Sequence, residues 1–337
     1  MSANPAAGVA PSREFEEALE ELRLADKLLL TTHENPDGDA LGSLLAAHLV
    51  LEQLGKDSVM YMSPDEFPLP WEYRQMRFDG LVGAPPRDVA ERVLVFLDCG
   101  NIDRMPADFT KRDGAHIVNI DHHHDNTRFG TVNLVVPEAS CTAEIVWELG
   151  RELGAVITPQ IADALYVGLV TDTGRFQYEN TTPAAHRMAA ELIEAGVEPH
   201  RVYRRLYEEL PFRRLQLLQR ALASVERHDG GALTVAHLAR RDFEETGAPE
   251  TDSEGIVDHL RAVAGTAVAI LVRELLGEDR EGLRKVSLRA TDGRVDVSRI
   301  ARAMGGGGHP QAAGFSTALP YDELIAKLRE EIGRQLR

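Results

Sequence analysis

The segment that joins the first predicted strand to the following helix constrains this chain more than any other. The apolar run Lys27–Thr32 predicts a strand, and apolar residues at helical spacing start at Leu41. Between them lie His33, Asp37 and Asp39. One imidazole and two carboxylates at the carboxyl end of a strand are typical metal ligands, and open α/β sheets build their sites at that edge. The alternative is that the two aspartates only cap the helix N-terminus, which carboxylates do well.

Polar side chains follow two further predicted strands. Val93–Leu97 is apolar throughout, as buried parallel strands are, and Asp98 follows it directly. Ile117–Ile120 leads into 121–125, where three histidines stand between two aspartates. A neutral imidazole can bind a metal or orient a phosphate, and an adjacent aspartate can accept the other ring N–H. The alternatives are an ordinary turn residue at Asp98 and an accidental polar loop at the histidines.

A fourth acid, Asp172, stands near the end of a helix predicted to begin at Pro159. The helix dipole disfavours a carboxylate at that end, and a nearby cation would offset the cost. Ser140 and Glu144 instead resemble a helix cap with an acid in the first turn, and this interpretation is preferred to a catalytic serine.

The length of 337 residues predicts two domains. The predicted boundaries are a loose tail at 1–12, a first domain at 13–207, a linker and helix start at 208–220, and a second domain at 221–337. With 43% hydrophobic and 27% charged residues, the composition is that of an ordinary soluble globular protein. The net charge of −17 argues against a broad basic surface for long duplex nucleic acid. It does not exclude a short phosphorylated ligand held by metal ions and local arginines.

The sequence also bears on location. The two cysteines, Cys99 and Cys141, fit no disulfide framework, which favours a reducing compartment. No apolar run reaches transmembrane length, and the first residues lack the basic-then-apolar order of a signal peptide. A cytoplasmic protein without a membrane partner is therefore expected.

The second half carries a glycine run of a different kind. Strands are predicted at Leu233–His237, Ala267–Arg273 and Lys285–Arg289, and Gly305–Gly308 then precede His309. Consecutive glycines leave backbone N–H groups that can approach an anion closely, although the spacing is not that of a Walker or Rossmann motif. A flexible linker is the alternative, but the residues after the run favour a fixed turn.

The first half therefore contains a carboxylate-rich set with a few imidazoles, mostly at strand ends. Such a set suits Mn²⁺ or a similar divalent ion, and it is too large for one metal. Two metals about 3.5–4 Å apart form a common clamp for in-line attack on phosphorus. The set comprises His33, Asp37, Asp39, Asp98, Asp121, His122, His123 and Asp172.

Five segments in order resemble the DHH phosphoesterase family with its DHH-associated C-terminal domain, in the nano-RNase and 3′-phosphoadenosine 5′-phosphate phosphatase branch. They read HENPDGDALGS, VFLDCG, IDHHH, VTDTGRF and GGGGHPQAAGF, and the match runs from about residue 20 to 335. The resemblance implies an α/β fold with a mostly parallel N-terminal sheet flanked by helices and a smaller C-terminal α/β domain. It also implies an active site in the cleft between the two domains.

The resemblance further implies roles for single residues. His33, Asp37, Asp98 and Asp172 would hold one Mn²⁺, and Asp39, Asp98, His122 and Asp172 would hold a second. His123 would face the scissile phosphate, and Asp121 would orient a histidine. The third histidine, His124, departs from the bare DHH triplet, so the role given to His123 could belong to His124. Arg289, Gly306, Gly307, Gly308 and His309 would bind the far end of the substrate.

The implied activity is Mn²⁺-dependent hydrolysis of short oligoribonucleotides, of dinucleotides such as pGpG, and of 3′-phosphoadenosine 5′-phosphate. The attacking group would be a hydroxide that bridges the metals. Short RNA and nucleotide bisphosphates would be the partners, and a homodimer is left open. Two alternatives belong to other classes: a small-molecule phosphatase or pyrophosphatase without nucleotide preference, and a non-catalytic nucleotide sensor.

Overall fold

The computed structural model describes residues 12–105, 107–111 and 114–336, which divide into two compact units between Glu209 and Leu210. The tail predicted at 1–12 lies outside the described residues except for Ser12. The Ser12 hydroxyl accepts a hydrogen bond from the Phe15 N–H and so caps the first helix. No helix among the described residues is both long enough and apolar enough to cross a membrane.

The first unit alternates strands and helices. Its elements are α1 (Arg13–Leu24), β1 (Lys27–Thr31), α2 (Gly38–Gln53), β2 (Asp57–Tyr61), β3 (Leu81–Val82), β4 (Val93–Leu97), β5 (Ile117–Asp121), β6 (Val132–Val135), α3 (Thr142–Glu152), α4 (Pro159–Asp172), α5 (Pro183–Glu194) and α6 (Pro199–Tyr203). A π-helical turn, Arg204–Glu208, follows α6 directly.

The six strands of this unit form one parallel sheet in the order β3-β2-β1-β4-β5-β6. The strand order reverses at β1, which pairs with β2 on one side and with β4 on the other. In open α/β sheets, ligand sites form outside the carboxyl ends of the strands at such a switch point. The loops after β1 and β4 carry the predicted ligands, so the topology brings them to that edge.

The two faces of the sheet are covered differently. Alternate residues such as Leu28 and Leu30 join a large core with apolar residues of α1 to α6. The opposite face, which includes Leu29 and Phe96, packs against apolar residues of the irregular segments around 102–111 and Phe129. This alternation follows from the two-residue period of a strand.

Helices α2 and α4 pack closely because glycines lie at their contact. A Cβ on Gly42 would lie 2.4 Å from the Ala164 carbonyl oxygen. A Cβ on Gly168 would lie 2.7 Å from the Ala143 Cβ and 2.9 Å from Asp39 Oδ1. The approach of these helices therefore sets where the acids at the start of α2 and the end of α4 lie.

In the first unit, one strand was predicted to the residue and two others were not predicted. The strand Val93–Leu97 has the predicted bounds. Strand β3 was not predicted, because its two residues are too few to show an alternating pattern. Strand β6 was not predicted, because Asn133 interrupts its apolar run.

The predicted cap of α3 by Ser140 is wrong. The helix begins at Thr142, and its N-cap, Cys141, makes no side-chain cap hydrogen bond. Glu144 instead accepts a hydrogen bond from the Ser140 N–H, and the first amides of the helix donate to Asp39.

The second unit contains α7 (Phe212–Ala223), β7 (Glu226–His228), β8 (Leu233–Leu238), α8 (Arg240–Thr246), α9 (Ile256–Arg261), β9 (Val268–Glu274), β10 (Arg284–Ala290), α10 (Val297–Ala303), β11 (Gly307–Gly308), β12 (Ala312–Thr317) and α11 (Tyr321–Leu336). Its sheet has the order β11-β12-β10-β9-β8-β7. The β8–β9 pair is parallel, and the other pairs are antiparallel. Separate apolar clusters pack on the two faces of this mixed sheet.

Candidate metal centre

Three neighbouring strands of the first unit place polar groups at one edge of the sheet. His33 follows β1, Asp98 follows β4 directly, and Asp121 is the last residue of β5. Asp98 has φ of 56°, a left-handed conformation that is uncommon for a residue with a Cβ. Strained backbone of this kind is concentrated at functional sites, and here it occurs at the residue in the middle of the cluster.

The two carboxylate oxygens of Asp98 face different histidines. His33 Nε2 lies 3.6 Å from Asp98 Oδ2, and His122 Nε2 lies 3.6 Å from Asp98 Oδ1. The Thr142 hydroxyl donates to Asp98 Oδ1 at 3.0 Å. Burial opposes ionisation of this carboxyl, but the contact with His33 and the charges of His123 and His122 hold its pKa below the ordinary value. The geometry is that of a carboxylate able to bridge two ions.

Three groups of side chains offer ligand atoms within 4.8 Å of one another. They are His33 with Asp37 and Asp98, Asp39 with His122 and Asp172, and Asp98 with His122 and His123. The first two groups together hold all six predicted metal residues. Their donors, four carboxylates and two imidazoles, fit divalent ions such as Mn²⁺. His124 is exposed and belongs to none of the three groups.

Asp39 is held at the centre by the start of α3. Its oxygens accept hydrogen bonds from the N–H groups of Thr142 and Ala143, at 2.7 and 2.9 Å, and from the Ser43 hydroxyl at 3.1 Å. Burial, and then the charges of Asp98 and Asp172, raise its pKa well above the ordinary value. A buried carboxylate among other carboxylates favours a cation or a proton.

Asp37 caps α2, because its Oδ1 accepts from the N–H groups of Asp39 and Ala40 at 3.0 and 3.1 Å. The prediction that an aspartate caps the helix is therefore confirmed for Asp37. Asp37 also belongs to a metal-ligand group. Each carboxylate oxygen has two lone pairs, so one aspartate can serve both purposes.

Asp172 lies at the C-terminal end of α4, as predicted. Burial raises its pKa to about 7, the charge of His122 opposes this, and the charges of Asp37 and Asp98 add to it. The Asn180 amide donates to Asp172 Oδ2 at 3.0 Å and to the Ser140 carbonyl oxygen at 2.8 Å. Asn180 thereby fixes Asp172 relative to the start of α3.

His123 is held by Asp121. Its Nδ1 lies 2.6 Å from Asp121 Oδ1, and Asp121 is fully buried. Burial alone would lower the pKa of His123, but the hydrogen bond to Asp121 and the charge of Asp98 raise it to about 9. The group with Asp98 and His122 allows His123 as a metal ligand by position, and His123 Nδ1 lies 3.5 Å from Asp98 Oδ1 in addition to its contact with Asp121.

Sequence reasoning missed Thr142, Asn180 and Arg104. Arg104 Nη2 lies 2.9 Å from His33 Nδ1, and the same His33 nitrogen lies 2.7 Å from the Glu34 carbonyl oxygen. The contact between Arg104 and His33 joins residues far apart in the chain, as does that between Thr142 and Asp98, and no local spacing signals them. For Asn180 the single available signal was its position shortly after the VTDTGRF segment.

The predicted substrate residues lie together at one end of the second sheet. Arg289 on β10 pairs with Ala312 on β12. Strand β12 pairs on its other side with the glycine strand β11. Arg289 Nε lies 3.6 Å from Asp258 Oδ1. The glycine run is part of a hairpin and not a flexible linker, as the fixed-turn interpretation predicted.

The expected cradle of free N–H groups needs a correction. The N–H groups of Gly305, Gly306 and His309 donate to the carbonyl oxygens of Arg302, Ala301 and Ala312. A Cβ on Gly306 would lie 2.1 Å from the Gly314 carbonyl oxygen, so this glycine is required for packing. Gly307 and Gly308 are exposed on the edge strand.

Family models match both units. Residues 27–169 match the DHH family, N-terminal domain, and residues 230–337 match the DHHA1 domain.

Curated relatives match over nearly their whole length. The bifunctional oligoribonuclease and PAP phosphatase NrnA of Thermus thermophilus is 35% identical, over 91% of this chain and 90% of the relative. The protein of the same description from Bacillus subtilis is 27% identical, over 89% of this chain and 92% of the relative.

A solved structure confirms the fold. An exopolyphosphatase-related protein from Bacteroides fragilis aligns with a TM-score of 0.84 at 23% identity, covering 95% of this chain and 96% of the other. RecJ of Thermus thermophilus, crystallised with Mn²⁺, aligns with a TM-score of 0.59 at 14% identity, over 98% of this chain and 56% of RecJ. The chain belongs to the DHH phosphoesterase family, with a DHHA1 domain after its DHH domain.

Proposed function

We propose that this enzyme hydrolyses short oligoribonucleotides, linear dinucleotides such as pGpG, and 3′-phosphoadenosine 5′-phosphate to mononucleotides, with two Mn²⁺ ions. The observation that carries the proposal is Asp98, whose two oxygens face His33 and His122 at 3.6 Å each. The substrate class is supported by the relatives named oligoribonuclease and PAP phosphatase.

In this proposal His33, Asp37, Asp98 and Asp172 hold one ion, and Asp39, Asp98, His122 and Asp172 hold the other. A pair of divalent ions supplies a water molecule of lowered pKa and neutralises charge on the phosphoryl group. The remaining residues orient this set: Thr142 fixes Asp98, and Asn180 fixes Asp172.

His123 acts on the phosphate in this mechanism. Its contact with Asp121 and its raised pKa favour an imidazolium at neutral pH. A positioned imidazolium can donate a hydrogen bond to a phosphoryl oxygen, where negative charge develops during attack, or a proton to the leaving oxygen. Asp121 serves as the residue that orients His123.

We assign the non-reacting end of the substrate to Arg289, Gly307, Gly308 and His309. Arg289 offers a planar set of donors for phosphate oxygens, and its register beside Ala312 places it next to the hairpin that carries His309. The Gly306 N–H, which donates to the Ala301 carbonyl oxygen, is left out of the assignment. A cytoplasmic location completes the proposal, because both cysteines are free and buried.

The test is an assay of the purified protein with Mn²⁺ on oligoribonucleotides of two to about ten residues, beside 3′-phosphoadenosine 5′-phosphate and a generic ester such as bis-p-nitrophenyl phosphate. The expected result is a steep preference for the shortest oligonucleotides and for the bisphosphate. Equal turnover of all lengths, or activity on the generic ester alone, would contradict the proposal.

A further inference from the structure

A left-handed turn follows the metal-site residue Asp172. The consecutive residues Gly174, Arg175 and Phe176 have φ of 55°, 66° and 62°. Glycine adopts this conformation readily, but side-chain-bearing residues do so uncommonly, and two in succession require support from their surroundings.

The turn is anchored on both sides. The Phe176 ring stacks on His186 with centroids 5.0 Å apart, and it also contacts the Tyr166 ring at 6.5 Å. A Cβ on Gly174 would lie 2.4 Å from Tyr178 Cζ, so the Tyr178 ring lies against the backbone of the turn. The Arg175 N–H donates to the Val170 carbonyl oxygen at 2.8 Å. The strained conformation is therefore held in place by packing.

The turn presents Arg175 over a group of tyrosines. Its guanidinium carbon lies 5.2 Å from the centre of the Tyr207 ring, and the Tyr207 and Tyr203 rings are 5.1 Å apart. Arg175 is exposed, and Tyr178 and Tyr203 are 37% and 42% exposed. These four residues are called the Arg175 platform.

Two features favour a ligand over a purely structural role. Arg175 makes no ion pair with a carboxylate within the part of the chain that the structure describes, although the chain has 54 acidic residues. The turn also begins two residues after Asp172, which belongs to a metal-ligand group. A strained backbone therefore holds an exposed guanidinium three residues after an acid of the metal-ligand group.

We propose that the Arg175 platform stacks a nucleobase of the substrate. This inference rests on the proposed function and adds a base-binding subsite in the first unit. Guanidinium planes and aromatic rings are the surfaces on which unpaired bases stack, and every base offers a flat face to them. The aromatic neighbours of Arg175 favour a base over a phosphate as its partner, and the test separates the two.

The experiment compares the Mn²⁺-loaded wild type with Arg175→Ala, Arg175→Lys and, as a matched control, Arg151→Ala. Arg151 also lies over an aromatic ring of the first unit, at 4.7 Å from the Trp147 centroid, but on α3. Calorimetric titrations measure affinity for adenosine 5′-monophosphate and for ribose 5-phosphate, which lacks the base. Thermal unfolding confirms that each variant is folded.

Arg175→Ala is expected to weaken binding of adenosine 5′-monophosphate on the order of ten- to a hundredfold, the range for loss of one stacking contact, and to leave ribose 5-phosphate unchanged. Arg175→Lys keeps the charge but loses the planar guanidinium, so it is expected to weaken binding of adenosine 5′-monophosphate as well. Arg151→Ala is expected to change neither. Equal losses for both ligands would make Arg175 a phosphate contact, and wild-type affinity in either Arg175 variant would also overturn the platform.

Failure of the Arg175 platform can be distinguished from failure of the proposed function. Wild-type turnover of a dinucleotide tests that function, whereas the titrations follow binding alone. An Arg175-dependent affinity for the base without dinucleotide turnover would refute the function and leave the platform standing. Dinucleotide turnover with base affinity independent of Arg175 would refute the platform alone.

Discussion

The Nδ1 atom of His123 lies 2.6 Å from Asp121 Oδ1, and this contact distinguishes His123 from its neighbour His122. His122 Nε2 instead faces carboxylate oxygens of Asp98, Asp172 and Asp39 at 3.6, 3.7 and 4.0 Å. His123 Nδ1 also lies 3.5 Å from Asp98 Oδ1, so both histidines adjoin the ligand set, and the contact with the buried Asp121 is what sets His123 apart.

We expect His122→Ala to lower the metal content of the purified protein. His123→Ala should retain both ions and slow the phosphorus step by about 10²–10⁴-fold, the range for a general acid or charge stabiliser. Elemental analysis and single-turnover rates measure the two effects. Loss of an ion in the His123 variant would show that this residue is a ligand.

Replacing Asp98 by Ala should abolish activity, because one carboxylate serves both proposed ions. Thr142→Val removes the hydroxyl that donates to Asp98 Oδ1 and is the milder companion variant, expected to reduce activity without eliminating it. Metal stoichiometry should fall in Asp98→Ala while the thermal transition remains cooperative. Near wild-type turnover in Asp98→Ala would rule out the two-metal site.

The metal-free protein should lose stability as pH rises from 5 to 9. Burial raises the pKa of Asp172 to about 7, so the folded state binds a proton that the unfolded state releases above the ordinary value of 3.8. The pKa of His123, about 9 against an ordinary 6.5, acts in the same direction at higher pH. The lowered pKa of Asp98 affects stability only at pH values below this range.

Thermal unfolding in chelator at pH 5, 7 and 9 measures this dependence. Saturating Mn²⁺ should flatten it, because a cation replaces the proton at Asp172, and Asp172→Asn should remove part of it. A metal-free protein whose unfolding temperature rises or stays constant across the window would contradict the titration scheme.

Gly168→Ala should destabilise the first unit by about 1–3 kcal/mol, as overpacking does in well-packed cores. The added methyl would lie 2.7 Å from the Ala143 Cβ and 2.9 Å from Asp39 Oδ1, so metal affinity should fall as well. Gly333→Ala is the matched control, because a Cβ there meets nothing within 4 Å and alanine favours the helix. In denaturant unfolding, the free energy of unfolding should fall in Gly168→Ala and rise in Gly333→Ala.

Arg289→Ala should lower kcat/KM for a dinucleotide and for 3′-phosphoadenosine 5′-phosphate about ten- to a hundredfold. This corresponds to loss of a charge-assisted contact of roughly 1.5–3 kcal/mol. Binding energy at a remote end orients the reacting end, so bis-p-nitrophenyl phosphate should hardly be affected. His309→Ala should show the same selectivity, and a parallel loss on the generic ester in either variant would refute the assignment to the non-reacting end.

Sequence alone located the strands that lead into the candidate site and the acids that follow them, because both are local features. The run Val93–Leu97 is apolar throughout and ends at Asp98, and the structure has the strand at those residues. A parallel sheet gathers the carboxyl ends of its strands at one edge, so residues from separate motifs could be assigned to one cluster before any coordinates.

Tertiary structure decided what each of those residues contacts. Asp39 accepts hydrogen bonds from Thr142 and Ala143, Arg104 contacts His33, and Arg175 lies over Tyr207. The glycine run is expected from sequence to offer free N–H groups, but those of Gly305 and Gly306 donate to carbonyl oxygens of α10. Spacing along the chain cannot encode these contacts, because they depend on the close approach of α2 to α4, on strand order and on backbone angles set by packing between distant segments.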